Sequence, residues 1–334
     1  MGIPVGIVGV SGYGGSELLR LCLGHPAFEV VYAAGESSAG QTLRQRYPAL
    51  AGRPAGELAI QEFVPEELAG IDLLFTSLPT GQSKERLARV PRAIKILDVG
   101  GDHRFIEGWT YGLAELPGLR AQIASSSRVA NPGCYPAAAL LALAPLVANG
   151  LIEPEGIVVD AKSGVSGAGR GGGGAFSYPE TNEDVVPYGL LEHPHVPELR
   201  EALSRLAGGG RRASVAFTPH LVPMTRGCFA TCYGRPRGSA TTGRLLEAAR
   251  AFYQDEPFVK VAESQNGWGV HSKWATGSNL AFVSYVANAE TGLAIALGAI
   301  DNLGKGAAGQ AVQNANLMTG QPETAGLTGL PLWP

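Results

Sequence analysis

A cysteine stands at the junction of a Pro-Gly turn and an apolar run, Asn131-Pro132-Gly133-Cys134-Tyr135-Pro136 followed by AAALLALAPLV. Pro136 suits the first turn of a helix, where its missing N–H costs nothing. Cys134 then sits near the N-cap, where unpaired N–H groups and the helix dipole favour a thiolate, the nucleophilic form. The plainer alternative is a small apolar side chain packed at a turn. A thiol nucleophile needs an acid/base partner. Of the six histidines, His193 and His195 stand together in LLEHPHVPEL, and Pro194 and Pro197 argue against a regular helix there. The same pair would suit a metal, but no third ligand cluster accompanies it, so no metal is expected. His220 in FTPHLVPMTRG is a second acid/base candidate, His25 is expected to cap a helix, and His271 carries no signal.

An anionic substrate needs cations. Lys162 and Arg170 flank SGVSGAG, and Arg226 follows LVPMT. Arginine suits a bidentate grip on phosphate or carboxylate, whereas a solvated arginine on a loop does nothing of the kind. The GVSGA at 164–168 resembles a nucleophile elbow, but Ala168 stands where the last glycine belongs and no strand–turn–helix frame surrounds it, so serine hydrolysis is set aside.

A second chemistry lies at the N-terminus. The run GVSGYGGSE at 9–17 places glycines at 9, 12, 14 and 15, with Ser11 and Tyr13 between them. Such glycines permit a tight turn and let backbone N–H groups reach a pyrophosphate at a helix N-terminus. The loop follows a strand and opens a helix, as a dinucleotide fingerprint requires. The end of the next strand, AAGESSAG, gives mixed signals. Glu36 would bond a ribose 2′-hydroxyl and favour NAD; Ser37 and Ser38, with Arg44 or Arg46, would hold the 2′-phosphate of NADP.

These residues need a scaffold. Strands are expected at 4–10, 28–34, 71–79 and 94–100, with a helix from Gly15 to about Leu23 ended by Gly24 and Pro26. Strands alternating with helices predict an α/β, Rossmann-type parallel sheet. After about residue 130 the chain turns β-rich with hairpin-like spacing. This predicts an α+β catalytic domain with a mixed or antiparallel sheet. A helix from about Ala307 is expected to pack back on the first domain. The division is therefore 1–130 plus about 300–334 for the dinucleotide, and 131–299 for catalysis and oligomerisation.

The 334 residues suit two domains, and 45% hydrophobic residues can fill two cores. A net charge of −3 offers no basic nucleic-acid face, and no apolar run reaches the roughly 20 residues a bilayer needs. The four cysteines lack metal spacing, so a reducing cytoplasm is the expected setting.

Taken together, VGIVGVSGYGGSELLRLCLGHP, LLFTSLPTG, VANPGCYPAA, VDAKSGVSGAGR, FTPHLVPMTRG and AIDNLGKGAAGQAVQNANLMTG resemble the N-acetyl-γ-glutamyl-phosphate reductases of arginine biosynthesis. The resemblance spans almost the whole chain. It implies a two-domain fold like glyceraldehyde-3-phosphate dehydrogenase, NADP(H) as cofactor, an acyl phosphate as substrate, inorganic phosphate as leaving group, and a homodimer or homotetramer. It places the nucleophile on Cys134 and the acid/base on His195, with Asn131, Ser163, Arg170, His193 and Arg226 as the substrate set. Two departures stand out. Pro194 replaces an arginine of the family's His-Arg-His motif, and the stretch between DHRF and YGLAELP is short. Related reductases act on an aminoadipyl phosphate held by an acidic carrier protein, which would need a basic surface such as Arg211–Arg212. A non-enzymatic dinucleotide-binding regulator is the remaining alternative.

Overall fold

Two seven-stranded sheets carry the chain in the structure, a computed structural model that describes residues 2–171, 174–238 and 240–333. The first sheet holds β1 (Ile3–Val8), β2 (Phe28–Ala34), β3 (Ile60–Gln61), β4 (Leu73–Thr76), β5 (Lys95–Asp98), β6 (Thr110–Tyr111) and β7 (Arg128–Ala130). All its pairings are parallel, in the order β3-β2-β1-β4-β5-β7-β6. The central strands read as nearly continuous apolar runs because both faces are covered. In β4 every residue is buried. Helix Tyr13–Leu23 leaves β1 through Gly9, whose φ of +89° and contact with the Ser77 carbonyl exclude a side chain.

The second sheet holds β8 (Ile157–Gly164), β9 (Val186–Pro187), β10 (Val215–Val222), β11 (Cys228–Gly234), β12 (Val259–Val261), β13 (Ala281–Asn288) and β14 (Leu293–Ile300). Its order is β12-β13-β14-β11-β8-β10-β9, with parallel and antiparallel pairings mixed. The hairpin-like spacing of residues 211–234 is misleading. β10 and β11 are consecutive, yet β8 lies between them, parallel to β10 and antiparallel to β11. The true hairpin is β13–β14.

Helix Cys134–Ala148 is buried over nearly its whole length against this sheet. Its alanines allow close approach: a Cβ on Gly298 of β14 would overlap the Ala138 carbonyl. Strand residues Cys228, Ala230 and Cys232 pack beneath it in the same core. On the opposite face of the sheet Val158, Val286 and Leu293 are exposed.

After β14 the chain returns to the first sheet. A π-helical turn, Gly304–Ala308, precedes helix Gly309–Met318, so the helix expected from about Ala307 begins two residues later, after this wider turn. The helix packs on helices Leu119–Ser125 and Tyr13–Leu23, in the same core as β1. Lys305, fully buried, pairs with Glu115 and donates to Gln313 at 2.6 Å. A buried charge requires such partners.

Candidate active site

One cleft of about 950 Å³ brings the glycine loop, the ends of β2 and β4, and Cys134 together. Its nucleotide half is built on Gly12, the extended N-cap of helix Tyr13–Leu23. Gly9, Ser11, Gly12, Tyr13 and Gly14 line it. A Cβ on Gly14 would come within 2.7 Å of Ser77 Oγ, and one on Gly15 would overlap the Gly9 carbonyl. Gly15 therefore lies behind the lining and keeps the turn tight. Ser11 Oγ is buried without a protein partner at the cleft wall. Bare backbone at a helix start beside an orphaned hydroxyl fits a dinucleotide pyrophosphate. Arg170 also lines the cleft, its guanidinium 4.7 Å above the Tyr13 ring.

At the end of β2, Glu36 and Ser37 line the cleft while Ser38 is buried outside the lining. The Glu36 carboxylate is met by Arg86 at 2.5 Å, and Arg86 lies on the cleft wall against Phe63. Arg44 pairs instead with Glu57 at 2.8 Å, and Arg46 donates to the Ser11 carbonyl at 3.2 Å. Arg86, absent from the sequence reading, is the cation beside Ser37.

The chemical half starts at Gly133, the extended N-cap of helix Cys134–Ala148. Cys134 is its first residue and lines the cleft. The neighbouring Cys228 thiol holds the Cys134 thiol below its ordinary range; burial opposes this, while the Tyr135 N–H and the Arg104 charge add to it. Cys22 and Cys232 go the other way, pushed up by burial alone. Gly306, in the π turn, faces Cys134 so closely that a Cβ would sit 2.8 Å from the Cys134 Cβ.

His195 reaches the same point from across the cleft. Its ring fills the space that a Cβ on Gly133 would take. Burial, then the charges of Arg104 and His193, hold it well below the ordinary histidine range and therefore neutral. Its Nδ1 has no protein partner. Contrary to the expectation from Pro194 and Pro197, a regular helix, His195–Ala207, begins here. Both prolines lie where helix N–H groups are unpaired anyway, Pro194 as N-cap and Pro197 in the first turn. His193 Nδ1 accepts the His195 N–H at 3.1 Å, and its ring packs among Tyr135, Tyr188 and Phe217 rather than on the cleft wall.

One turn along that helix, Glu198 is buried and joins the Cys134 and His195 elements. Its carboxylate accepts from the Gly133 N–H at 2.9 Å, Tyr111 Oη at 2.7 Å and Arg104 Nη1 at 2.9 Å. Arg104 also donates to the Asn131 carbonyl at 2.9 Å. The loop carrying Arg104 is anchored by buried Asp98, which accepts from Thr76, Ser83 and the Gly100 N–H and meets His103 Nδ1 at 2.7 Å.

Several residues expected at the substrate lie elsewhere. Arg226 is turned away from the cleft to Glu17 at 2.7 Å and Asp301 at 3.2 Å, because two buried carboxylates there require a counter-charge. Asn131 is fully buried, donating to the Ala307 carbonyl and accepting from Asn314. Ser163 is buried with its hydroxyl on the Gly164 carbonyl. His220 Nδ1 meets the Ala161 carbonyl at 3.2 Å, and Lys162 pairs with Asp160 at 2.7 Å, both outside the cleft lining. His25 stacks on Phe28 and meets Asn316 at 2.9 Å. Arg104 and Arg86 on the cleft wall, and Glu198 buried behind it, are charged groups the sequence reading missed. The signal for the first was present in GGDHRF, a charged run directly after a strand at the cleft end of the sheet. Among the described residues no group of three or more His, Cys, Asp or Glu side chains is arranged to hold a metal ion, and no helix is long and apolar enough to cross a membrane.

A family model described as "Semialdehyde dehydrogenase, NAD binding domain" matches residues 4–126, and one described as "Semialdehyde dehydrogenase, dimerisation domain" matches residues 134–302. An aspartate semialdehyde dehydrogenase II of Vibrio cholerae superposes with a TM-score of 0.75 at 18% identity, covering 96% of this chain and 98% of that one. One from Candida albicans, solved with NADP, gives 0.71 at 16% identity over 95% and 98%. The chain is thus built as a two-part semialdehyde dehydrogenase. Among sequences, proteins named N-acetyl-γ-glutamyl-phosphate reductase from Bradyrhizobium sp. (strain ORS 278) and Salinispora arenicola are 59% and 44% identical to it, over 100% and 98% of both chains. The chain belongs to the N-acetyl-γ-glutamyl-phosphate reductase family.

Proposed function

We propose that the protein reduces N-acetyl-γ-glutamyl phosphate to the semialdehyde with release of inorganic phosphate, using NADP(H), in arginine biosynthesis. The observation that carries this reading is the meeting of a thiol held below its ordinary range with a glycine-lined helix start in one cleft. The division of labour is residues 1–130 plus about 300–334 for the cofactor and 131–299 for catalysis and association.

Cys134 Sγ attacks the acyl carbon, phosphate leaves, and a thioester forms on the chain. A dinucleotide held by the Gly9–Gly14 loop would supply the hydride that this thioester needs. His195, neutral at rest, hydrogen-bonds its ring N–H to the oxyanion as it forms, without giving up the proton. The oxyanion then collapses to the aldehyde and the Cys134 thiolate is expelled. The Cys134 N–H at the helix start adds a second donor for that oxygen. Glu198 and Arg104 hold the Cys134 loop and the His195 helix at one spacing. Arg170, at the cleft wall and in no ion pair among the described residues, is the cation for the phosphate. Arg86 and Ser37 receive the 2′-phosphate that distinguishes NADP from NAD.

The exposed apolar face of the second sheet supports association as a homodimer or homotetramer. The soluble substrates and free thiols support a cytoplasmic setting. The test runs the reaction backwards: N-acetylglutamate semialdehyde, phosphate and NADP should give the reduced cofactor, seen by its absorbance. Absence of phosphate-dependent reduction would overturn the reading.

A further inference from the structure

A second thiol stands behind the nucleophile, and the proposed reaction leaves it without a task. Cys228 opens β11 directly beneath the first turn of helix Cys134–Ala148. Its Sγ donates to the Cys134 carbonyl at 3.8 Å, and the two thiols are near enough to shift each other's protonation. The two are opposites in access. Cys134 lines the cleft, whereas Cys228 is fully buried. Burial keeps the Cys228 thiol protonated, with the Cys134 sulfur adding to the effect. An oxidant entering the cleft therefore meets Cys134 first, in its reactive form.

We propose that Cys228 is a resolving cysteine, which captures oxidised Cys134 as a reversible Cys134–Cys228 disulfide. The inference rests on Cys134 being the reactive thiolate of the proposed function. The oxidant is a hydroperoxide, with hydrogen peroxide the simplest. Cys134 thiolate takes one oxygen from it, the peroxide O–O bond breaks, and hydroxide leaves, giving a sulfenic acid. Cys228 sulfur then attacks the Cys134 sulfur. The S–S bond forms, the S–O bond breaks, and water leaves with the Cys228 proton. A small thiol reductant returns both cysteines by two electrons. The contact of the Cys228 sulfur with the Cys134 backbone favours this over a second oxygen on Cys134, which would be irreversible. Cys22 and Cys232 are buried elsewhere in the two cores and are not hydrogen-bond partners of Cys134.

The test treats the full-length protein with hydrogen peroxide, blocks free thiols, and maps peptides by mass spectrometry without reduction. The expected result is a linked pair of peptides carrying Cys134 and Cys228, lost on adding dithiothreitol. Activity, scored against each protein's own untreated value, should return almost fully in the natural protein. In Cys228→Ser and Cys228→Ala it should return to about a tenth or less, with sulfinic acid on Cys134. Linkage of Cys134 to any other cysteine, or no linked pair with equal irreversible loss in natural and variant proteins, would overturn the proposal. Peptide mapping needs no activity, so the two readings fail separately. A linked pair in a protein that reduces no substrate keeps the disulfide and removes the catalytic assignment. An active protein without the pair does the reverse.

Discussion

Two helices start at the same cleft, and they start alike. Tyr13–Leu23 and Cys134–Ala148 both leave an extended glycine, Gly12 or Gly133, and neither glycine has a side chain to cap the first-turn N–H groups. Each therefore presents unpaired N–H groups and the positive end of a helix dipole. The difference is in what surrounds the start. At Gly12 a Cβ would meet nothing nearer than the Gly9 carbonyl at 3.5 Å, so the position opens onto the cleft. At Gly133 the same space is taken by the His195 ring, and the N–H is taken by Glu198. One start receives a ligand that comes and goes; the other is packed round a thiol that stays. On the proposed function, a single local device serves binding in one place and nucleophilic chemistry in the other, and burial decides which.

The largest effect should come from removing the thiol itself. Cys134→Ser is expected to lose on the order of 10³-fold or more in kcat. NADPH affinity, read by fluorescence titration, should stay as it was. Next, His195→Asn should lower kcat by about 10²–10³-fold, and His193→Asn far less, since its ring packs away from the cleft wall. The inverse ranking would move that donor role to His193. Third come the two glycine starts. Gly133→Ala should displace the imidazole and cost roughly 10²-fold in kcat with little change in the KM for NADPH. Gly14→Ala, crowding Ser77, should raise that KM about tenfold and leave the rate of Cys134 alkylation alone. If both substitutions moved the same constant, the distinction between the two starts would collapse. Fourth, Arg86→Ala should shrink the preference for NADPH over NADH about tenfold, measured as the ratio of kcat/KM values.

The smallest effect concerns stability. His195 has a folded-state pKa well below the unfolded value of 6.5. The unfolded chain therefore binds the extra proton first, and the stability that the neutral ring contributes is complete above 6.5 and fades as pH falls below it. Thermal melts of the natural protein and of His195→Asn should differ in their pH dependence below that value, by roughly 1–3 °C in Tm. Parallel curves would remove His195 as a source of it.

Much of this comparison was legible in the chain. Both glycine starts announced themselves because turn, glycine and apolar helix are adjacent in sequence. The Rossmann-type sheet followed from alternating apolar strands and helices. What did not show is whatever long-range packing decides. Arg226 reads like an anion grip, but Glu17 lies 209 residues away in sequence and claims it. Glu198 reads as an ordinary helix acid until Gly133, 65 residues earlier, folds beneath it. The insertion of β8 between β10 and β11 escaped for the same reason, since spacing alone favours neighbours in sequence. Pro197 misled because a proline that breaks a helix interior is harmless in its first turn.

The π turn at Gly304–Ala308 has a consequence for synthesis. Gly306 forms the wall opposite Cys134, and the segment that carries it follows every strand of both sheets. Every strand of both sheets is therefore synthesised before that wall. The Cys134 sulfur gains its finished surroundings only when residues 304–318 dock, and until then the side of the thiol that Gly306 covers stays open.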